Sequence, residues 1–267
     1  MKFSDYLINE SLITFGNKSF PKHNNVVIMA GGAGSGKGFV KDKVVGIDGK
    51  VFDVDELKKR ILKSKTTADK IKNATGVDIK TLDLRKPEDV STLHFLISST
   101  KLDKKYQETF FSTIDKNSNN KPNLIFDVTL KDMKKLQDIS KNVQELGYKK
   151  EDIHIVWVVQ DFDVAIKQNA GRDRVVSPEI MKATHTGAYK TMLKIMDVES
   201  DALKYMNGDI WVCFNKKDVD SKFIKSEFGG SYFKDFVYFK TKAKGKSPIN
   251  LPLEFEQKIE QYTQELR

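Results

Sequence analysis

Five short runs of nearly continuous apolar residues mark the chain: VVIMA at Val26–Ala30, VFDV at 51–54, NLIFDV at 123–128, IHIVWVVQ at Ile153–Gln160 and IWVCFN at Ile210–Asn215. Runs of this length that do not alternate predict strands covered on both faces, as in a parallel sheet between two layers of helices. The segments between them read as helices. One continues from Phe39 to Gly46, another runs over 131–146 to a C-terminal glycine at Gly147, and Pro178 starts a further one in its first turn. Residues 56–118 are largely helical, with Leu57, Ile61 and Leu62, then Leu93, Leu96 and Ile97 at helical spacing. The expected architecture is a three-layer α/β fold with about five parallel strands. It has a core over residues 21–215, a helical insertion about 56–118 and a lid about 167–178.

Two flanking segments complete the plan. Residues 1–20 form an N-terminal appendage, with Phe3, Tyr6, Leu7 and Leu12 suited to a short amphipathic helix. Residues 216–267 form a C-terminal extension of a hairpin and a terminal helix. Phe233, Phe236, Tyr238 and Phe239 around the Gly229-Gly230 turn fit a hairpin packed on the core, although aromatics interleaved with lysines could also stack on single-stranded nucleic acid.

The first strand opens into the stretch that organises the rest. Gly31 to Lys37 follow the spacing glycine, four residues, glycine, lysine, in the order strand, glycine-rich turn, helix that phosphate binding requires. Gly31, Gly32, Ala33, Gly34, Ser35, Gly36, Lys37, Gly38 and Phe39 are the expected nucleotide-binding residues. Glycines let successive N–H groups turn toward phosphate oxygens, and Lys37 brings an ammonium to the terminal phosphates. A ligand-free glycine-rich turn is the alternative, but five glycines and a lysine within eight residues favour phosphate. Where such loops ordinarily place Ser or Thr after the lysine as a magnesium ligand, Gly38 stands.

Composition narrows the partners. Among 267 residues, 46 Lys and Arg against 37 Asp and Glu give a net charge of +9, which suits an anionic partner such as a nucleotide, a nucleic acid or a membrane surface, or simply solvates helices. No basic amphipathic helix argues for the membrane, no run reaches spanning length, and no secretory leader is evident, so a soluble cytoplasmic protein is expected. Cys213 is the single cysteine and lies in an apolar run, which excludes an intrachain disulfide and argues for a buried thiol. No protein partner is evident.

Three strand ends carry acids. Asp53 and Asp55 close the second run, where a carboxylate could take the proton of a substrate hydroxyl attacking the γ-phosphate of ATP, or, for Asp55, cap the next helix. Asp127 closes the third run in the manner of a strand that delivers an acid to Mg2+ or its water shell, or again a cap. After the fourth run, Asp161 or Asp163 caps a helix that leads to Lys167, Asn169, Arg172 and Arg174; a guanidinium there could grip the transferring phosphoryl group, although exposed helix ends also carry such residues.

The loop GGAGSGKG resembles the adenylate-kinase version, GxPGxGKG, with Phe39 in place of its usual threonine. A phosphate loop, then a strand ending D-x-D and a basic helix, over about residues 24–215, resembles the zeta-toxin and polynucleotide-kinase branch of phosphate-loop kinases. That resemblance implies that Asp55 is the base, Asp53 a structural or metal-associated acid, and Arg172 and Arg174 the lid arginines. It also implies ATP and Mg2+ as cofactors, an insertion that binds the acceptor, and transfer to a hydroxyl of a nucleotide-sugar, a nucleotide or a nucleic-acid 5′ end. Ile8-Asn9-Glu10 resembles the cleavage pattern of head-targeting segments in some tailed-phage proteins, which implies packaging in a phage head or residence in the host cytoplasm. A nucleotide-dependent switch or a head-associated protein with little kinase activity is the alternative function.

Overall fold

The computed structural model describes residues 13–16, 18, 21–215, 222–225, 231–234, 237–248, 250–251 and 253–266. A six-stranded sheet runs through it in the order β2-β3-β1-β4-β5-β8. Its first five strands are β1 (Val26–Ala30), β2 (Lys50–Asp53), β3 (Leu124–Asp127), β4 (Ile153–Gln160) and β5 (Ile210–Asn215). All their pairings are parallel, so the loops that follow them gather at one edge of the sheet. The expected three-layer α/β phosphate-loop fold is therefore observed.

Every residue of β1, β4 and β5 is buried, which accounts for their unbroken apolar runs. Alternate residues divide between two layers. Val26, Ile28 and Ala30 pack with side chains from α6 (Met133–Glu145), α8 (Pro178–Met196) and α9 (Leu253–Thr263). Val27 and Met29 face the opposite layer, built from Val40, Val44, Val45, Ile13 and Phe15. Val40 ends the short α1 (Lys37–Val40), which widens into a π-helical turn at Lys41–Val45.

The helical insertion comprises α2 (Val54–Lys63), α3 (Lys65–Thr75), α4 (Pro87–Ser99) and α5 (Leu102–Ser112). Leu57, Ile61, Ala68, Ile71, Leu93 and Ile97 form a separate apolar cluster within it. The segment 167–178, expected as a lid, falls on the end of α7 (Phe162–Ala170), which Asp161 caps, and on the loop that leads to α8.

The C-terminal aromatics divide differently from the single hairpin expected. β6 (Lys222–Lys225) and β7 (Ser231–Lys234) form their own antiparallel pair, while β8 (Val237–Lys242) adds to β5 as an antiparallel edge of the main sheet. The Tyr238 ring thereby lies against Trp211, tilted by 42° with centroids 5.8 Å apart. Gly229, Gly230 and Phe236, like the appendage residues 1–12 with Ile8-Asn9-Glu10, lie outside the described residues. Among the described residues, no helix is long and apolar enough to cross a membrane.

At the opposite edge of the sheet, His154 and Asp209 are buried together, with His154 Nδ1 accepting the Asp209 backbone N–H at 2.8 Å. The Asp209 carboxylate accepts the N–H groups of Gly16 at 2.6 Å and Lys244 at 2.9 Å, pinning the N-terminal segment and the edge of the sheet. Burial pushes the carboxyl up, but His154 and the two N–H groups outweigh it and hold it at about 2, against an ordinary 3.8. The stability it contributes is complete above pH 3.8 and is lost as pH falls toward 2. Burial also lowers His154, so the unfolded imidazole takes a proton that the folded one refuses, and stability falls below pH 6.5 as well. Asp209→Asn is expected to cost about 2 kcal/mol at pH 7 and to flatten the loss of Tm between pH 4 and 2, measured by thermal unfolding against pH.

Candidate active site

The turn after β1 is shaped by close approach. A Cβ on Gly31, whose φ is 145°, would lie 2.6 Å from the Val158 carbonyl oxygen, backbone that cannot yield. A Cβ on Gly32 would lie 2.0 Å from the His185 ring. The turn ends at Gly36, φ 87°, and α1 starts at Lys37. Lys37 Nζ donates to the carbonyls of Gly31 and Gly32, both at 3.0 Å, and lies 4.0 Å from Asp127 Oδ1. Burial pulls its pKa below the ordinary lysine value, against the opposing pull of Asp127 and Asp55. A cation is thus held across the mouth of a ring of backbone groups. Ser35 Oγ is buried inside that ring and has no hydrogen-bond partner among the described residues.

β2 and β3 place Asp53 and Asp127 directly opposite one another in register, and Asp127 is also level with Met29 at the end of β1. The structure changes the expected helix start. α2 begins at Val54 rather than at Glu56, because Asp53 Oδ1 accepts the Asp55 N–H at 2.7 Å and caps the helix. The cap is therefore Asp53, and Asp55 sits in the first helical turn with its carboxylate free for other contacts. Burial pushes the Asp127 carboxyl above the usual range, only partly offset by Lys37, with Asp53 pushing the same way. A divalent cation would relieve that repulsion. Two carboxylates, with phosphate oxygens and water completing the shell, match how Mg2+ is commonly held. Among the described residues, no group of three or more His, Cys, Asp or Glu could hold a metal by itself. Gly38 has open space where a side chain would stand, so packing does not forbid the missing hydroxyl.

Arg174 reaches Asp55 from 119 residues away and grips both carboxylate oxygens with both terminal nitrogens. Lys58 adds a bond to Oδ1 at 3.2 Å. Burial pushes the Asp55 carboxyl up, but Arg174 and Lys58 outweigh it and hold the group below the usual carboxylate range. Arg174 is held in place by its loop. Asn169 bonds the Val176 carbonyl at 2.7 Å and accepts the Val176 N–H at 3.1 Å, closing the loop on itself. The Val175 N–H donates to the Leu84 carbonyl at 2.9 Å, tying the loop to the insertion. Arg172 is exposed and has no ion-pair partner among the described residues.

Lys37, Asp53, Asp55, Asp127 and Arg174 thus converge at one edge of the sheet, with Gly31 to Gly36 beside them. Sequence reasoning missed Lys58, three residues after Asp55 and so on the same side of α2. It also missed Asn215, whose Nδ2 donates to the Ser35 carbonyl at 2.9 Å; its place at the carboxyl end of β5 was the available signal. Thr184 and His185, adjacent on α8, carry no such signal; both contact Ala33.

No protein-family model and no curated protein matches the sequence. Solved structures do match. A chain of the AvrRxo1-ORF1:-ORF2 complex with ATP aligns with a TM-score of 0.50 and 12% identity, over 89% of this chain and 64% of that one. The same complex with sulphate ions gives 0.48 at 12% identity, over 89% and 63%. A structure from the PezAT chromosomal toxin-antitoxin system of Streptococcus pneumoniae gives 0.43 at 11% identity, over 94% and 87%. The chain spans just under two thirds of the length of the AvrRxo1 chain. At this identity the likeness shows the fold alone, and it agrees with the α/β architecture expected from the apolar runs.

Proposed function

We propose that this chain is an ATP-dependent phosphotransferase that moves the γ-phosphoryl group to a hydroxyl of an anionic acceptor: a nucleotide-sugar, a nucleotide or a nucleic-acid 5′ end. The observation that carries this reading is the convergence of the Gly31–Gly36 turn, Lys37, the register-paired Asp53 and Asp127, and an Asp55 gripped by a lid arginine. The ATP-bound structure that shares the fold supports nucleotide use.

In this reading Lys37 and the loop amides hold the β- and γ-phosphates. Asp53 and Asp127 would hold Mg2+, which when bound offsets charge on the phosphates. Asp55, ionised throughout the neutral range, orients the acceptor hydroxyl and receives its proton as the oxygen attacks phosphorus. Arg172 and Arg174 stabilise charge on the non-bridging oxygens as the bond to the leaving diphosphate breaks. Lys37→Met keeps the length of a buried side chain but removes a charged donor worth about 1.5–3 kcal/mol. Titration with a fluorescent ATP analogue should therefore show at least about a tenfold loss of affinity; unchanged affinity would remove the loop from nucleotide binding.

One observation favours a second reading, a nucleotide-binding switch with little kinase activity: both oxygens of Asp55 are already engaged. Slow ATP hydrolysis indifferent to any acceptor would support it.

A further inference from the structure

We infer that Thr184 and His185 are positioning residues, which clasp the phosphate loop from outside and hold it in its binding shape. This rests on the nucleotide-binding reading above and adds to it two residues that bond the loop backbone.

A loop with glycine at Gly31, Gly32, Gly34 and Gly36 has many backbone states open to it, and a ligand that selects one must offset the lost entropy. The fold removes much of that freedom beforehand. Ala33, between two glycines, has both of its backbone groups taken by consecutive residues of α8. Its N–H donates to Thr184 Oγ1 at 3.2 Å, and its carbonyl bonds His185 Nε2 at 2.9 Å. A carbonyl has no proton to give, so Nε2 carries the hydrogen. The imidazole lies flush on Gly32, in the space a Cβ would fill, and Phe162 of α7 meets its other side edge-on with ring centroids 5.5 Å apart. Beneath, Ala33 packs against Ala165, Val176 and Met181, the apolar base of the lid.

These contacts give the clasp a second property. Thr184 and His185 stand on the helix that begins at Pro178, directly after the loop carrying Arg172 and Arg174. The loop apex and the lid base therefore share one rigid element, and displacement of α8 moves both.

The test pairs Thr184→Val, which keeps shape but loses the hydroxyl, with Thr184→Ser, which keeps it; His185→Phe keeps the ring but loses the donor. Two quantities are read: the Kd of a fluorescent ATP analogue, and hydrogen exchange of the Ala33 amide without nucleotide. Expected are an Ala33 amide protected in wild type and Thr184→Ser but exchanging at least tenfold faster in Thr184→Val. Kd should rise about tenfold in Thr184→Val and His185→Phe and stay within twofold in Thr184→Ser, with Tm of the two threonine variants alike. An Ala33 amide equally protected in Thr184→Val, or unchanged Kd in a variant whose amide has been freed, overturns the inference. If wild type binds no nucleotide, the nucleotide-binding reading fails instead, and Ala33 exchange still decides whether the clasp exists.

Discussion

Asp55→Asn should leave ATP affinity within about twofold of wild type and reduce phosphoryl transfer by about 10²–10⁴-fold, the usual contribution of a positioned general base. The substitution keeps the size of the side chain and one hydrogen-bonding oxygen but abolishes a carboxylate that can take a proton. Helix α2 should survive the change, because its cap is Asp53 and not Asp55. The ion pair with Arg174 is lost, but the Asp55 side chain is 43% exposed, so solvent screening keeps the cost to stability small. Thermal unfolding run beside the transfer assay separates the two effects: Tm should move by only a few degrees while turnover collapses. Comparable turnover in the variant would remove Asp55 from the mechanism.

Arg174→Ala should lower transfer by about 10³-fold or more, the scale on which a transition-state arginine acts in phosphoryl transfer. It also changes the base. Arg174 is the principal group holding the Asp55 carboxyl below its usual range against the upward push of burial. Without it that carboxyl rises, so the acid limb of the residual activity should shift to higher pH. Arg174→Lys should restore part of the charge effect but little of the rate, because an ammonium cannot grip two oxygens with a planar fork. In the reading that Arg174 serves the transferring γ-phosphoryl group, its guanidinium turns from Asp55 toward that group once nucleotide is bound. Binding of a non-hydrolysable ATP analogue should therefore draw it off Asp55 and raise the titration of that carboxyl, measured by NMR. Full activity in Arg174→Ala would leave the lid without a chemical role.

Much of this was legible in the chain because parallel strands buried on both faces write themselves as unbroken apolar runs; the limits of β4 and β5 fall where the runs end. β2 is displaced by one residue toward the N-terminus because the Asp53 side chain accepts the Asp55 N–H and draws Val54 into α2. β8 was harder: a short strand with aromatic residues reads the same whether it pairs with β7 or with the edge of the main sheet. In the site, residue types with their own chemistry, such as Lys37 and Asp127, announce themselves. Thr184, His185 and Asn215 do not, because each acts on loop backbone 151 to 180 residues away, and a contact at that separation leaves no local pattern. The grip of Arg174 on Asp55 is of the same kind.

The measurement that bears most directly on phosphoryl transfer uses γ-labelled ATP and Mg2+ with separate pools of UDP-sugars, nucleoside monophosphates and 5′-hydroxyl RNA and DNA, run beside Asp55→Asn. Label entering one pool, and disappearing from it in the variant, is the result expected. ATP bound by the protein with no label in any pool, or label undiminished in Asp55→Asn, would contradict the account.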